Sequence, residues 1–313
     1  MSPTTADTVN QWAEVQRVAY ERACPQPDLT FEELMKILKN VLAGITSTAE
    51  GAKRIESLVM NRPEDFFNKY ASTVYQIIHA GAAFDDDVIL QRLAALTAAL
   101  AALPDAKNTT GKTLTWADEE LGIEGKSGPG KAIVHDRQRL WSDLPTFGDE
   151  MRRMWIDGPA SKAQREEEGL SEEAARQQWS NCNAFAAHLA KLSQRRGDVL
   201  DLYLCAIWTL RRALEDRKSD GCGQPHELRM HIAGAAQWIR ILGKELRDAD
   251  WKFSGSQKLN AGGGPRYDAD LHGYGFSEKR WELWKCRFED FAQDETVDEE
   301  TRQIARDAAR EMA

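Results

Sequence analysis

Ser277-Glu278-Lys279-Arg280-Trp281-Glu282-Leu283-Trp284-Lys285-Cys286-Arg287-Phe288-Glu289-Asp290-Phe291 is the stretch on which the reading of this chain turns. Trp281, Trp284, Phe288 and Phe291 recur three and four residues apart, which places all four rings in one narrow sector of an α-helix. Four rings on one face demand burial, so core packing is the first expectation for them. Their functional alternative is an aromatic wall for a planar or apolar ligand. Just upstream runs Gly262-Gly263-Gly264-Pro265-Arg266-Tyr267, within a loop spanning about 252–276. Three glycines let backbone amides come close to a ligand, but neither a Walker pattern nor a full Gly-x-Gly-x-x-Gly spacing is present. A phosphate cradle is therefore not expected. The loop reads either as a structural cover over an aromatic surface or as a lid.

Working outward, the same helical periodicity recurs from end to end, with no run of alternating apolar and polar residues. Thr30-x-x-Glu33 and Ser47-x-x-Glu50 read as capping boxes. Pro63 suits a first helical turn, after which Phe66, Phe67, Tyr70, Val74 and Ile77 follow at helical spacing. Asp85, Asp86 and Asp87 precede the stripe Leu90, Leu93, Leu96, Leu100 and Leu103. Acids at a helix start complement its dipole, and no acid follows at the spacing that a terpene cyclase's metal-binding motif requires. Further helices are expected over 134–142, from Phe147 to a stop at Gly158-Pro159, and over 171–196, 198–217, 225–247, 277–292 and 298–312. Asp201, three residues after Asp198, reads as a dipole and cap residue in the first turn of the helix 198–217. Segment 160–170 reads as a solvated insertion, and 104–131 as a long connection with a short helical piece around Trp116.

The expected fold is all-α: one irregular domain of about ten to twelve helices, a form that includes an α-solenoid-like coil. Its N-terminal helices occupy 5–103, and an aromatic-rich half occupies 132–313. A split near residue 130 is the weaker reading.

Composition narrows the function classes. At 313 residues, 42% hydrophobic and 29% charged, the chain can bury a substantial core. Five scattered cysteines without a Cys-x-x-Cys pair point to reduced thiols and a cytoplasmic setting. No signal peptide and no membrane-crossing apolar run is read, so a soluble chain with no membrane partner is expected. A net charge of −9, with arginine pairs dispersed among acids, argues against a nucleic-acid partner.

Three blocks carry a resemblance: Trp141-Ser-Asp-Leu-Pro145-Thr-Phe-Gly148-Asp-Glu-Met151-Arg-Arg-Met-Trp155, Trp179-Ser-Asn-Cys-Asn183-Ala-Phe185-Ala-Ala-His-Leu189, and the terminal Gly-Pro-Arg266 segment through Gly273-Tyr-Gly-Phe276 to Trp281, Trp284, Arg287 and Phe288. Together with Leu34 to Leu58, they resemble the largely fungal family known as domain of unknown function 3632. That resemblance implies a helical protein of unassigned activity and brings no catalytic residues with it.

Candidate sites come from the residues alone. His226 and His231 are five apart, off a shared helical face, so no zinc site is expected there. Glu227 and His231 are four apart, the arrangement of a carboxylate orienting a general base, with Trp238 on the same flank. Asn181, Phe185 and His188 form a polar-edged row on the helix 171–196, with Asn183 on the far margin beside Trp179. The duller reading of these groups is helix-packing hydrogen bonds.

Two functions follow as expectations. The leading one is a binding or interaction protein that takes a protein partner or a small apolar or aromatic molecule through its aromatic C-terminal half. The alternative is a cofactor-independent enzyme, with no metal, whose pocket lies between helices 171–196, 225–247 and 277–292 under the glycine loop. In either case the residues singled out are His231 and Glu227 for catalysis, and Asn181, His188, Trp238, Gly263, Arg266, Tyr267, Trp281 and Trp284 for binding.

Overall fold

Helical periodicity in the sequence becomes fourteen α-helices in the computed structural model, which describes residues 4–23, 29–118, 122–195, 197–216, 225–255 and 257–313. The fold is mainly all-α, with two small two-stranded sheets among the described residues. The count exceeds the sequence expectation because three short helices lie in stretches read as loops. By compactness the chain forms two units, Met1–Met151 with Leu192–Leu200, and Arg152–Lys191 with Asp201–Ala313.

The first unit is built on α1 (Thr5–Ala23), α2 (Leu29–Leu42), α3 (Thr48–Met60), α4 (Phe66–Ala83) and α5 (Asp87–Ala101). Their apolar stripes meet in a core of Leu38, Leu42, Ile55, Leu93 and Leu96, each shut off from solvent. Local chemistry sets the starts. Ser47 accepts from the Glu50 amide at 3.2 Å to open α3, and Asp86 accepts from the Val88 and Ile89 amides at 2.8 and 3.2 Å to open α5. Pro63 begins a 3₁₀ turn, Pro63–Asp65, that leads into α4. The box expected at Thr30 does not open α2, which already contains that residue.

Residues 104–146 depart most from the helical expectation. Trp116 lies in β1 (Leu114–Asp118), paired antiparallel with β2 (Ile123–Ser127) from Leu114↔Ser127 to Asp118↔Ile123, and not in a helical piece. The helix expected over 134–142 is a second hairpin, β3 (Val134–His135) with β4 (Gln138–Arg139). Its two-residue turn, Asp136-Arg137, has φ of 43° and 65°, the left-handed geometry a tight hairpin requires. Neither residue is glycine or asparagine, so the usual sequence mark of such a turn is missing. Side-chain contacts hold the hairpins in place: the Trp116 indole N–H donates to His135 Nδ1 at 3.1 Å, and its ring meets Phe66 edge-on at 4.9 Å. Gly125 is required beneath that indole, since a Cβ there would lie 2.1 Å from it.

The second unit begins within α6 (Phe147–Asp157) and continues through α7 (Lys162–Glu168), α8 (Glu172–Leu192), α9 (Tyr203–Leu210), α10 (Pro225–Arg247), α11 (Gln257–Asn260), α12 (Ala269–His272), α13 (Glu278–Gln293) and α14 (Glu299–Glu311). A capping box of Ser161 and Gln164 starts α7 inside the expected insertion. The helix expected from Asp198 starts only at Tyr203, and its end winds into a π-helical turn, Arg211–Glu215. Asp198 instead closes a turn by accepting from the Gln194, Arg195 and Leu200 amides. Asp201 stands before the helix, whose N-terminal residue Leu202 makes no side-chain cap. The final pair, α13 and α14, pack on each other, and both also contact α10.

Candidate functional site

Arg280 occupies the first turn of α13, where a cation opposes the helix dipole and needs a specific partner to be stable. That partner is Glu215, at the end of the π turn. Both side chains are fully buried. Arg280 Nε donates to Glu215 Oε1 at 2.6 Å and Nη2 donates to Oε2 at 3.1 Å, a forked pairing that uses both carboxylate oxygens. The Trp284 indole N–H adds a third donor to Oε1 at 2.8 Å, and the Gly264 amide a fourth to Oε2 at 2.7 Å. The rest of the guanidinium is spent on backbone carbonyls, Ala261 at 3.1 Å, Gly275 at 2.8 Å and Gly262 at 3.0 Å. Tyr267 lies across its face, 4.6 Å from ring centre to guanidinium carbon.

This cluster pins the glycine segment. Arg211 grips it from the other end, its Nη1 donating to the carbonyls of Asn260 and Gly262 at 3.3 and 3.1 Å, and the Trp208 indole donates to Asn260 at 2.8 Å. The glycines answer to packing. A Cβ on Gly263 would sit 2.1 Å from the Tyr267 carbonyl oxygen, and one on Gly264 would sit 2.8 Å from an Asp216 oxygen and 2.9 Å from Glu215 Cβ. The segment is a wall held by hydrogen bonds that run from exposed at Asn260 to buried at Ala261.

Against that wall opens a cleft of about 530 Å³. Trp155, Trp179 and Trp208 supply aromatic surface, His231, Arg211, Arg212 and Asp216 supply the ionisable groups, and Gly263, Gly264 and Pro265 supply the glycine side. Trp155 and Trp179 meet at 5.5 Å, and the His231 ring stands edge-on to Trp179 at 6.3 Å. A polar spine behind the aromatic wall fixes its geometry. The Trp155 N–H donates to Thr209 Oγ1 at 2.8 Å, and that hydroxyl donates to Asn183 Oδ1 at 2.7 Å. The same Oδ1 accepts the Trp238 N–H at 2.8 Å, while Asn183 Nδ2 donates to the Trp179 carbonyl at 2.8 Å. Gly234 of α10 makes room for this spine, because a Cβ there would lie 2.8 Å from both Asn183 Nδ2 and Trp179 Nε1.

The electrostatics of the cleft are set by burial. His231 is 4% exposed, and burial together with the nearby Arg212 charge lowers its pKa to about 3. It is a neutral imidazole at physiological pH, and its Nδ1 has no hydrogen-bond partner among the described residues. Arg212 is half-buried on the cleft wall, and no ion pair of its guanidinium occurs among the described residues. Cys182 and Cys205 lie deep in this unit, their thiols pushed up to about 12 by burial. Among the described residues, no group of three His, Cys, Asp or Glu side chains is placed to hold a metal ion, and no helix is long and apolar enough to cross a membrane.

Of the residues singled out in the sequence, the cleft gathers His231 and Gly263. Glu227 has its side chain outside the described residues. Asn181 is buried and accepts from Gln177 Nε2 at 2.8 Å, and His188 is likewise buried on α8. Trp238 is fully enclosed behind the spine, and Trp281 and Trp284 are interior side chains of α13, so none of the three lines the cleft. Tyr267 serves the buried cluster, its hydroxyl reaching Gly273 O and Ser277 Oγ at 3.2 and 3.0 Å, while Arg266 is exposed. The cleft's floor is Trp155, Trp179 and Trp208, drawn from three helices that no single periodic stripe could connect. Arg212 and Glu215 escaped the sequence reading because the π turn, and not a regular helix, aims them. Arg280 carried a legible signal, a cation in a helix's first turn beside two tryptophans.

No curated protein and no solved structure matches this chain. Residues 75–288 match a family described as protein of unknown function, DUF3632. That match takes in both hairpins, the π turn, the glycine segment and α13 through Phe288, and the chain is a member of the DUF3632 family.

Proposed function

We propose that this protein binds a small planar molecule in the cleft between Trp155, Trp179, Trp208 and the glycine segment. The observation that carries the reading is a buried histidine, neutral and without a hydrogen bond at Nδ1 among the described residues, on the wall of a cleft that three tryptophans also line. Buried polar atoms in folded proteins are nearly always satisfied, so such a wall supports a reading in which something other than the protein completes the contacts. A volume of about 530 Å³ falls in the range of small-molecule sites. The π turn supports the same reading, as such turns are rare and concentrate at functional positions. The neutral state of His231 favours binding over acid–base chemistry, since a base with its pKa near 3 takes up protons poorly at neutral pH.

The test is fluorescence titration with N-phenyl-1-naphthylamine, an uncharged planar probe that brightens in apolar surroundings. Saturable binding by the wild type, weakened about tenfold in Trp208→Ala, is the expected result. Absence of saturable binding, or equal binding by the variant, would overturn the reading.

A further inference from the structure

The charge on the cleft wall carries the reading one step further. Among the described residues Arg211 and Arg212 face it against one carboxylate, Asp216, while the ring of His231 contributes no charge. This locally positive wall belongs to a chain whose net charge is −9. The two arginines differ in what they do. Arg211 is committed to the carbonyls of Asn260 and Gly262. Arg212 has no such commitment among the described residues, although it is half-buried and within electrostatic reach of His231. A guanidinium drawn partly out of water without a counter-charge is costly, and natural structures keep such groups where an anion meets them. Asp216 has contacts of its own and lies close enough to Arg211 to act on its charge.

We infer that the molecule taken up by this cleft is an organic anion, its rings against Trp155, Trp179 and Trp208 and its acidic group paired with Arg212. The inference rests on the cleft being a ligand site. The recognising chemistry is a carboxylate, sulfonate or phosphate on a flat apolar body, to which a planar guanidinium presents two parallel donors. Arg212 Nη1 lies beside Gly158, whose φ is +72°, 3.0 Å from where a Cβ would stand.

Two probes with the same rings separate the charge from the cleft: 8-anilinonaphthalene-1-sulfonate, an anion, and N-phenyl-1-naphthylamine, its uncharged counterpart. For the wild type the anion is expected to bind about tenfold tighter or more, and Arg212→Gln is expected to weaken the anion far more than the uncharged probe, removing that advantage. Unchanged circular dichroism and melting temperature would show that Arg212→Gln folds, as expected for a side chain without an ion pair among the described residues. Equal binding of both probes by the wild type, or an anion affinity untouched by Arg212→Gln, overturns the anion assignment and leaves the ligand cleft standing. Failure of the uncharged probe to bind overturns the cleft itself, and the anion assignment with it.

Discussion

At the scale of single residues, His231 has the most direct consequence. Its pKa of about 3 in the folded protein lies well below the value near 6.5 of a solvated histidine. The unfolded chain therefore binds the extra proton first as pH falls. The contribution to stability is complete above about pH 6.5 and is lost progressively toward the folded value, at about 1.4 kcal/mol per pH unit. Denaturant titrations at pH 7, 6, 5 and 4 should show His231→Gln losing less stability per unit than the wild type by about that amount; parallel losses would show that the imidazole is not the buried neutral group described. Arg137 makes a second test. It is exposed and held at φ 65° in the β3–β4 turn, within a run where Asp136, Trp141, Leu144 and Thr146 also have positive φ. Replacing it with glycine removes a backbone penalty of about 1 kcal/mol, so Arg137→Gly should raise the melting temperature. A lower one would mean that the turn is not left-handed. That turn was illegible in the sequence because Asp-Arg is not a pair that advertises such geometry.

At the scale of elements, the π turn and α13 act together through Glu215 and Arg280. Removing one partner of a buried pair leaves the other charged in a dry interior, at a cost of about 3–5 kcal/mol. Arg280→Met should therefore destabilise the protein by an amount in that range, and the double variant Glu215→Leu with Arg280→Met should recover part of it, because both desolvated charges are gone. If the double variant were simply the sum of two losses, the pair would not be the coupled unit its geometry implies. Gly263→Ala belongs to the same element, since its Cβ would lie 2.1 Å from the Tyr267 carbonyl. We expect it to cost about 1–3 kcal/mol by overpacking in thermal unfolding; a neutral effect would mean that the segment yields as a lid would. The helices themselves were largely legible, because Trp281, Trp284, Phe288 and Phe291 reveal a buried face by spacing alone. Their partners were not, since which ring meets which carboxylate is decided by tertiary packing between segments some 65 residues apart.

At the scale of the whole molecule, membership of the DUF3632 family and a mainly helical fold leave function to be argued from one cleft. Aromatic stripes found in the sequence went into the interior, as stripes at helical spacing usually do. The cleft was assembled from residues that each looked unremarkable: a tryptophan at the end of α6, another on α9, an arginine in a distorted turn. Among the described residues, only His231 and Gly263 link the sequence-level site to it. The thiols give a further expectation at this scale. Cys182 and Cys205 are buried with pKa values of about 12, whereas Cys286 is exposed. Iodoacetamide labelling of the native protein mapped by peptide mass spectrometry should modify Cys286 while sparing Cys182 and Cys205 until denaturant is added.

The most direct test of the account is a crystal structure of the protein soaked with 8-anilinonaphthalene-1-sulfonate. We expect the rings between Trp155 and Trp208 and the sulfonate on Arg212, with the glycine segment unmoved over Arg280 and Glu215. A probe bound elsewhere with this cleft closed by its own side chains would contradict it.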